Sequence, residues 1–230
     1  MSFVIAAPKQ ASVPVKGTHL RFPVRRIYCV GRNYHDHVAE MGGIPGREPP
    51  FFFQKPADAL LLDENFLYPS ASNDVHHEVE LVVALHSGGK NLAVEDASRH
   101  IYGYAVGIDM TRRDLQGEAK KAGKPWEVAN AFDHSAPISG ITPKADIGLL
   151  ERASISLHVN KVQRQNSDIS EMIWSVTEII SELSKLFELH AGDVIFTGTP
   201  SGVGPLQPGE RIHAAIERVG ELTLQVCKPS

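Results

Sequence analysis

The chain has 230 residues, 42% hydrophobic and 22% charged, the balance of a soluble globular protein with one substantial core. Its formal net charge of −4, with no basic tract or stripe, argues against a nucleic-acid binder. The start lacks the apolar core of a signal peptide and no apolar run approaches the ~20 residues of a membrane span. Cys29 and Cys227 stand far apart without metal-type spacing, which points to free thiols in a reducing, cytoplasmic compartment.

Residues 1–23 read as an irregular or short-stranded arm, and 24–230 as a single domain. Arg25 to Val30 is a buried strand ending at Gly31, and Asn33 to Met41 is helical, closed by Gly42-Gly43 and Pro45. Glu48 to Pro50 turns the chain into Phe51-Phe52-Phe53, a second apolar strand that leads to Lys55-Pro56. A long connection rich in turn residues precedes His76-His77-Glu78-Val79-Glu80, which runs into the strand Leu81-Val82-Val83-Ala84-Leu85. Residues 94–100 suit a short helix, Ile101 to Ile108 a strand thinned by Gly103 and Gly107 with Asp109 at its end, and 111–121 a charged helix. Residues 123–135 read as irregular, which suits a substrate-facing loop.

The last hundred residues are mostly strands. Ile155 to Val159 alternates, and Asn160-Lys161 turns it into a partner running to Gln165. The only long amphipathic helix spans about 175–189, with Ile179, Ile180, Leu183, Leu186 and Phe187 on one stripe and Gly192-Asp193 ending it. Val194-Ile195-Phe196 is a buried strand, residues 198–204 a glycine-rich loop, and strands near 211–218 and 221–227 finish the chain. The sum is a mixed α/β, β-dominated fold.

Three constellations could carry chemistry. Along a strand, side chains at i and i+2 leave the same face, so Glu78 and Glu80 project together, either as an exposed strand face or as half of a metal site. With Asp109 at a strand end they would form an all-oxygen set that favours Mg²⁺, with Mn²⁺ or Ca²⁺ as alternatives, and about three octahedral positions left for water and substrate. His77 points to the opposite face, and His76 is not needed by an all-oxygen site. His37 and Glu40, three apart on a helix, are either a surface pair or a general base oriented by a carboxylate. The loop at 198–204 lacks the Gly-Lys-Ser/Thr ending of a Walker motif, which makes it a tight turn or a source of backbone N–H groups and the Thr199 hydroxyl for a substrate carboxylate.

Taken in order, Gly31-Arg32-Asn33-Tyr34 with His37 and Glu40, Phe53-x-Lys55-Pro56, His77-Glu78-x-Glu80, Asp109-Met110-Thr111-x-Arg113-Asp114-x-Gln116 and Gly192-Asp193-x-Ile195-x-Thr197-Gly198-Thr199-Pro200 resemble the fumarylacetoacetate hydrolase family over residues 24–228. Within it, the segments Phe22 to Tyr28, Arg47 to Phe53 and Ala131 to Pro137 are most similar to the bacterial fumarylpyruvate hydrolases of gentisate-type aromatic degradation. The resemblance implies a mixed β-sandwich roll, a homodimer, and Mg²⁺ held by Glu78, Glu80 and Asp109. It makes His37–Glu40 a water-activating dyad on a lid, and Arg32, Lys55, Arg113, Gln116 and Thr199 substrate contacts.

One position departs. Where the family usually has Lys in a Lys-x-Phe setting, this chain reads Asn130-Ala131-Phe132, and loss of a charged donor in a dry site is worth about 10²-fold in rate. The implied reaction is hydrolytic C–C cleavage of a small 1,3-diketo acid, fumarylpyruvate to fumarate and pyruvate, with Asn130 and Gln116 near the developing oxyanion. The alternatives are decarboxylation of oxaloacetate or another β-keto acid, acylpyruvate hydrolysis, and a keto-acid-binding protein weakened by Asn130.

Overall fold

In the computed structural model, which describes residues 2–44 and 46–229, two sheets carry the core. The first has six strands in the order Thr142–Pro143, Ile101–Ile108, Val79–Leu85, Asp193–Phe196, Arg26–Gly31 and Phe51–Lys55. All neighbours are antiparallel except Asp193–Phe196 beside Arg26–Gly31. The second has five, in the order Val162–Asp168, Ser154–Val159, Arg211–Ile216, Gly220–Cys227 and Asn65–Leu67, the last pair parallel. This is the expected mixed, strand-dominated architecture.

The central strand Val79–Leu85 is buried at every position because both of its faces are covered. Leu81, Val83 and Leu85 pack with Ile155, Leu157 and Ile212 of the second sheet. Val82 and Ala84 face the opposite way, onto Val13, Phe22, Ile27 and Phe196. The N-terminal strands Ser12–Pro14 and Arg21–Pro23 thus close the back of the first sheet. Glu80 continues the row of Val82 and Ala84, so an ionisable side chain is forced beneath the sheet's covered face.

Gly107 lies opposite Glu80 in the ladder. A Cβ there would sit 2.5 Å from both Phe196 Cε1 and Val82 Cγ2, closer than packed carbon atoms allow. Gly107→Ala is therefore expected to cost about 1–3 kcal/mol through overpacking, read as a lower urea midpoint at unchanged m-value.

Several expectations shift in detail. The first helix is His35–Glu40, shorter than 33–41, because Asn33 is spent elsewhere. Its side chain donates to Thr197 O at 2.8 Å and Trp174 O at 3.0 Å and accepts from Trp174 N at 2.8 Å. Pro45 lies outside the described residues. Residues 123–135 are not wholly irregular: Glu127–Asn130 makes a helical turn, with Ala129 and Asn130 N–H groups both donating to Trp126 O. The helix expected to run to 189 is Val176–Leu186, opened by a Ser175–Glu178 capping box. It stops early because Phe187 is extended, its ring 5.3 Å from Tyr28, and Leu189 N–H turns to Gly89 O. Arg113–Ala122 is a second helix of nearly equal length, ended by Gly123 at φ 61. Among the described residues, no helix is long and apolar enough to cross a membrane.

Candidate metal and acid–base site

Antiparallel register assembles the acidic cluster. Val79 pairs with Ile108, so the next residue on each strand, Glu78 and Asp109, meet where the ladder ends, and Asp109 N–H donates to Glu78 O at 2.8 Å. Oxygen atoms of Glu78, Glu80 and Asp109 all lie within 4.8 Å of one another, and the three residues are 8%, 2% and 1% exposed. Three carboxylates buried this closely repel one another and lose hydration.

The protein offsets only part of that cost. Arg113 Nη2 forms an ion pair with Glu78, and Gly198 N–H donates to Glu80 Oε2 at 2.7 Å. Lys55 Nζ lies 2.8 Å from Asp109 Oδ1 as an ion pair out of hydrogen-bond alignment, and Asp109 Oδ2 has no partner. Orphaned carboxylate oxygens at the centre of an all-oxygen donor set fit a hard divalent cation.

Ionisation follows the same physics. Burial and the charges of Asp109 and Glu78 push Glu80 well above the usual carboxylate range. Burial, opposed by Lys55 and reinforced by Glu78, raises Asp109 to about 6. Glu78 is also pushed up by burial, but Arg113 and His37 outweigh it and hold the group below its ordinary value. A carboxyl group whose folded-state pKa is raised stabilises the fold at low pH, and that stability is lost as pH rises through about 6. A cation must displace the same proton below that pH. The apparent Kd for Mg²⁺ is therefore expected to weaken from pH 7 to pH 5, by up to about tenfold per pH unit for each proton displaced, in calorimetric titrations.

The same cleft contains His37. Its Nδ1 lies 3.3 Å from Glu40 Oε2, and the Glu40 carboxylate also accepts Gly202 N–H at 3.0 and 3.2 Å. The predicted pair thus forms, and Nε2 is the nitrogen left for a ligand or water. His77, as expected, faces away: it is buried against Gln165 Oε1 at 3.0 Å, and burial lowers its pKa to about 4. His76 pairs with Asp74 at 3.0 Å and takes no part in the acidic cluster.

Other expected contacts divide. Arg32, Arg113, Gln116, Asn130 and Thr199 line the cleft. Lys55 does not, which corrects its reading as a substrate contact: it is buried behind Asp109, with its ammonium spent on Asp109, Met110 O at 3.3 Å and Asn130 O. Thr199 keeps its place, but its hydroxyl donates to Val79 O at 2.8 Å and accepts from Gln165 Nε2 at 2.8 Å. The glycine-rich loop likewise gives the N–H groups of Gly198 and Gly202 to the protein's own carboxylates. Asn130 sits in a chain in which Arg113 Nη1 donates to Gln116 Oε1 at 2.8 Å, Gln116 Nε2 to Asn130 Oδ1 at 3.2 Å, and Asn130 Nδ2 to Thr111 Oγ1 at 3.1 Å. Each amide nitrogen carries two hydrogens, so Gln116 and Asn130 each retain one donor.

Sequence reasoning missed three features in and behind the cleft. Gln165, wholly buried, ties His77, Val79 and Thr199 together, with no signal beyond a polar residue in an alternating strand. Phe51, Phe53 and Trp126 form an aromatic wall with ring centroids 4.9–6.4 Å apart, and alternation along Phe51–Lys55 could have paired the two phenylalanines. Lys120 also lines the cleft, and its helical spacing from Arg113 was the available clue.

Comparison with known proteins places the chain in a family. The family model described as fumarylacetoacetate (FAA) hydrolase C-terminal matches residues 26–227. The chain belongs to this family. Among solved structures of the family, fumarylpyruvate hydrolase from Pseudomonas aeruginosa, in complex with Mn²⁺ and pyruvate, superposes with a TM-score of 0.97 at 48% identity, covering 99% of this chain and 100% of that one. Oxaloacetate tautomerase YcgM of Escherichia coli strain K12 is 45% identical over 204 residues, 88% of this chain and 93% of that protein. Human mitochondrial oxaloacetate tautomerase FAHD1 is 42% identical over 208 residues, 89% and 93% of the two chains. The chain is thus an enzyme of the fumarylacetoacetate hydrolase family, with relatives named for both hydrolysis and tautomerisation.

Proposed function

We propose that the protein hydrolyses a C–C bond of a 1,3-diketo acid, with fumarylpyruvate as substrate and fumarate and pyruvate as products. The observation that carries this reading is the His37–Glu40 pair opening on the same cleft as the buried carboxylate cluster. The likeness to a fumarylpyruvate hydrolase holding Mn²⁺ and pyruvate supports it.

Glu78, Glu80 and Asp109 would hold Mg²⁺ or Mn²⁺, which supplies Lewis-acid polarisation at the 2-oxo-acid end of the substrate. Arg113 and Lys55 keep Glu78 and Asp109 ionised and in place. Glu40 orients His37 through Nδ1, leaving Nε2 to take a proton from a water molecule. The resulting hydroxide adds to the distal ketone carbon, and the remaining N–H of Gln116 and of Asn130 face the oxyanion. The C–C bond then breaks, the acyl fragment leaves as the acid, and the proton held on His37 returns to the methylene carbon to give pyruvate.

A second reading is favoured by relatives named as oxaloacetate tautomerases and, in one case, as an oxaloacetate decarboxylase: interconversion of oxaloacetate tautomers, or its decarboxylation. It needs proton transfer at the methylene carbon but no attacking water. A substrate panel separates them: fumarylpyruvate and acetylpyruvate followed by loss of diketone absorbance, and oxaloacetate followed for enol–keto exchange and pyruvate release. Cleavage of fumarylpyruvate that disappears in excess chelator supports the hydrolase. Turnover of oxaloacetate alone overturns it in favour of the second reading.

A further inference from the structure

We propose that Arg32 and Lys120 form a second anion subsite at the mouth of the cleft, which selects substrates carrying a distal carboxylate at the far end of a seven-carbon chain. The inference deepens the proposed function and rests on the 2-oxo-acid end lying at the acidic cluster.

The two cations are placed with nothing to neutralise them. Both are exposed and both line the cleft, and among the described residues neither takes part in an ion pair. Arg32 is held there by backbone: its φ of 61 is left-handed, and Asn33 beside it is buried and pinned to Thr197 and Trp174. Lys120 is held by its ring neighbour, with Nζ 4.8 Å from the Trp126 centroid, and Trp126 in turn packs 4.9 Å from Phe51. Burial and the nearby positive charges of Arg113 and Arg32 lower the Lys120 pKa, and the charge of Glu78 opposes them more weakly.

Charge and length identify what would sit there. Around the acidic cluster, Lys55 behind Asp109, Arg113 beside Glu78 and a divalent cation would together exceed the three carboxylates by one positive charge, which suits one carboxylate of a ligand. Arg32 and Lys120 add two more at the rim, which suits another. Lys120 follows Arg113 by seven residues on one helix, so the two share a face about 10 Å apart along its axis. An extended seven-carbon diacid spans roughly 7–8 Å between its carboxyl carbons, given C–C bonds of about 1.5 Å, and hydrogen bonds at each end cover the remainder. A four-carbon diacid such as oxaloacetate spans only about half that and leaves the rim empty. The aromatic wall of Phe51, Phe53 and Trp126 lies alongside, matching the apolar middle of the longer molecule.

Calorimetry on the Mg²⁺-loaded full chain tests this without turnover, using 2-oxoheptanedioate, which has both carboxylates but no cleavable 1,3-diketone, and 2-oxoheptanoate, which lacks the distal one. The wild type is expected to bind the diacid about tenfold more tightly, as for a charge-assisted contact at the rim. Lys120→Met should bring the ratio to within about twofold while leaving 2-oxoheptanoate unchanged, and Lys120→Arg should retain it. Arg32→Met, checked for an unaltered circular dichroism spectrum, should reduce the ratio as well. Equal binding of the two acids by the wild type, or a ratio unaltered in both Met variants, overturns the subsite alone. Failure of both acids to bind the loaded protein overturns the placement of the 2-oxo-acid end and the subsite with it. A retained ratio in a protein that does not cleave fumarylpyruvate overturns the reaction and leaves the subsite standing.

Discussion

His37→Ala is expected to lower kcat for fumarylpyruvate by about 10²–10⁴-fold, the range for removal of a positioned general base. The imidazole is the group in the cleft whose second nitrogen is fixed by a carboxylate, at 3.3 Å from Glu40 Oε2. Glu40→Gln should lose less, because the amide oxygen still accepts Gly202 N–H while the charge supporting an imidazolium is gone. Mg²⁺ affinity measured by calorimetry should change little in either variant, since neither side chain belongs to the acidic cluster. Steady-state rates decide the matter, and turnover in His37→Ala equal to the wild type would sink the mechanism.

The second large effect concerns stability. Lys55→Met removes the ammonium 2.8 Å from Asp109 Oδ1 and leaves a wholly buried carboxylate without a counter-ion. Breaking a buried pair from one side costs about 3–5 kcal/mol. The loss should be greatest near pH 8, where Asp109 must ionise. It should shrink as the pH falls below Asp109's raised pKa, because a protonated carboxyl has no charge to strand. Urea titrations in chelator at pH 8 and pH 5 measure the difference, and Mg²⁺ should restore part of the stability by replacing the missing positive charge. Equal losses at the two pH values would mean that Lys55 acts through packing alone.

The strands were legible because the pattern that encodes them is local. Leu81 to Leu85 and Val194 to Phe196 are short unbroken apolar runs containing Val or Ile, of the length of a strand covered on both faces. The geometric relation of Glu78 to Glu80 was legible for the same reason, since alternation is a property of a single strand. Asp109 required more: its meeting with Glu78 depends on the register of two strands, and family resemblance supplied what spacing could not.

The role of Lys55 was illegible, because a lysine after an apolar strand looks the same whether its ammonium reaches substrate or turns back to Asp109. The fate of the glycine-rich loop was hidden too. Nothing in Thr197 to Gly204 indicates that its N–H groups serve carboxylates from distant segments. Helix ends shifted where tertiary bonds competed with local ones, as at Phe187 and Asn33.

That loop has one further consequence. Gly198 grips Glu80 and Gly202 grips Glu40, so one short backbone turn anchors a member of the acidic cluster and the partner of His37 together. A Cβ at Gly198 would lie 2.7 Å from the Asn33 Cβ, and one at Gly202 would overlap the Arg164 carbonyl, so both grips depend on the main chain packing without side chains in between. Any displacement of the turn slackens both carboxylates at once. The two halves of the cleft are therefore mechanically ganged, and they come into register, or leave it, as one.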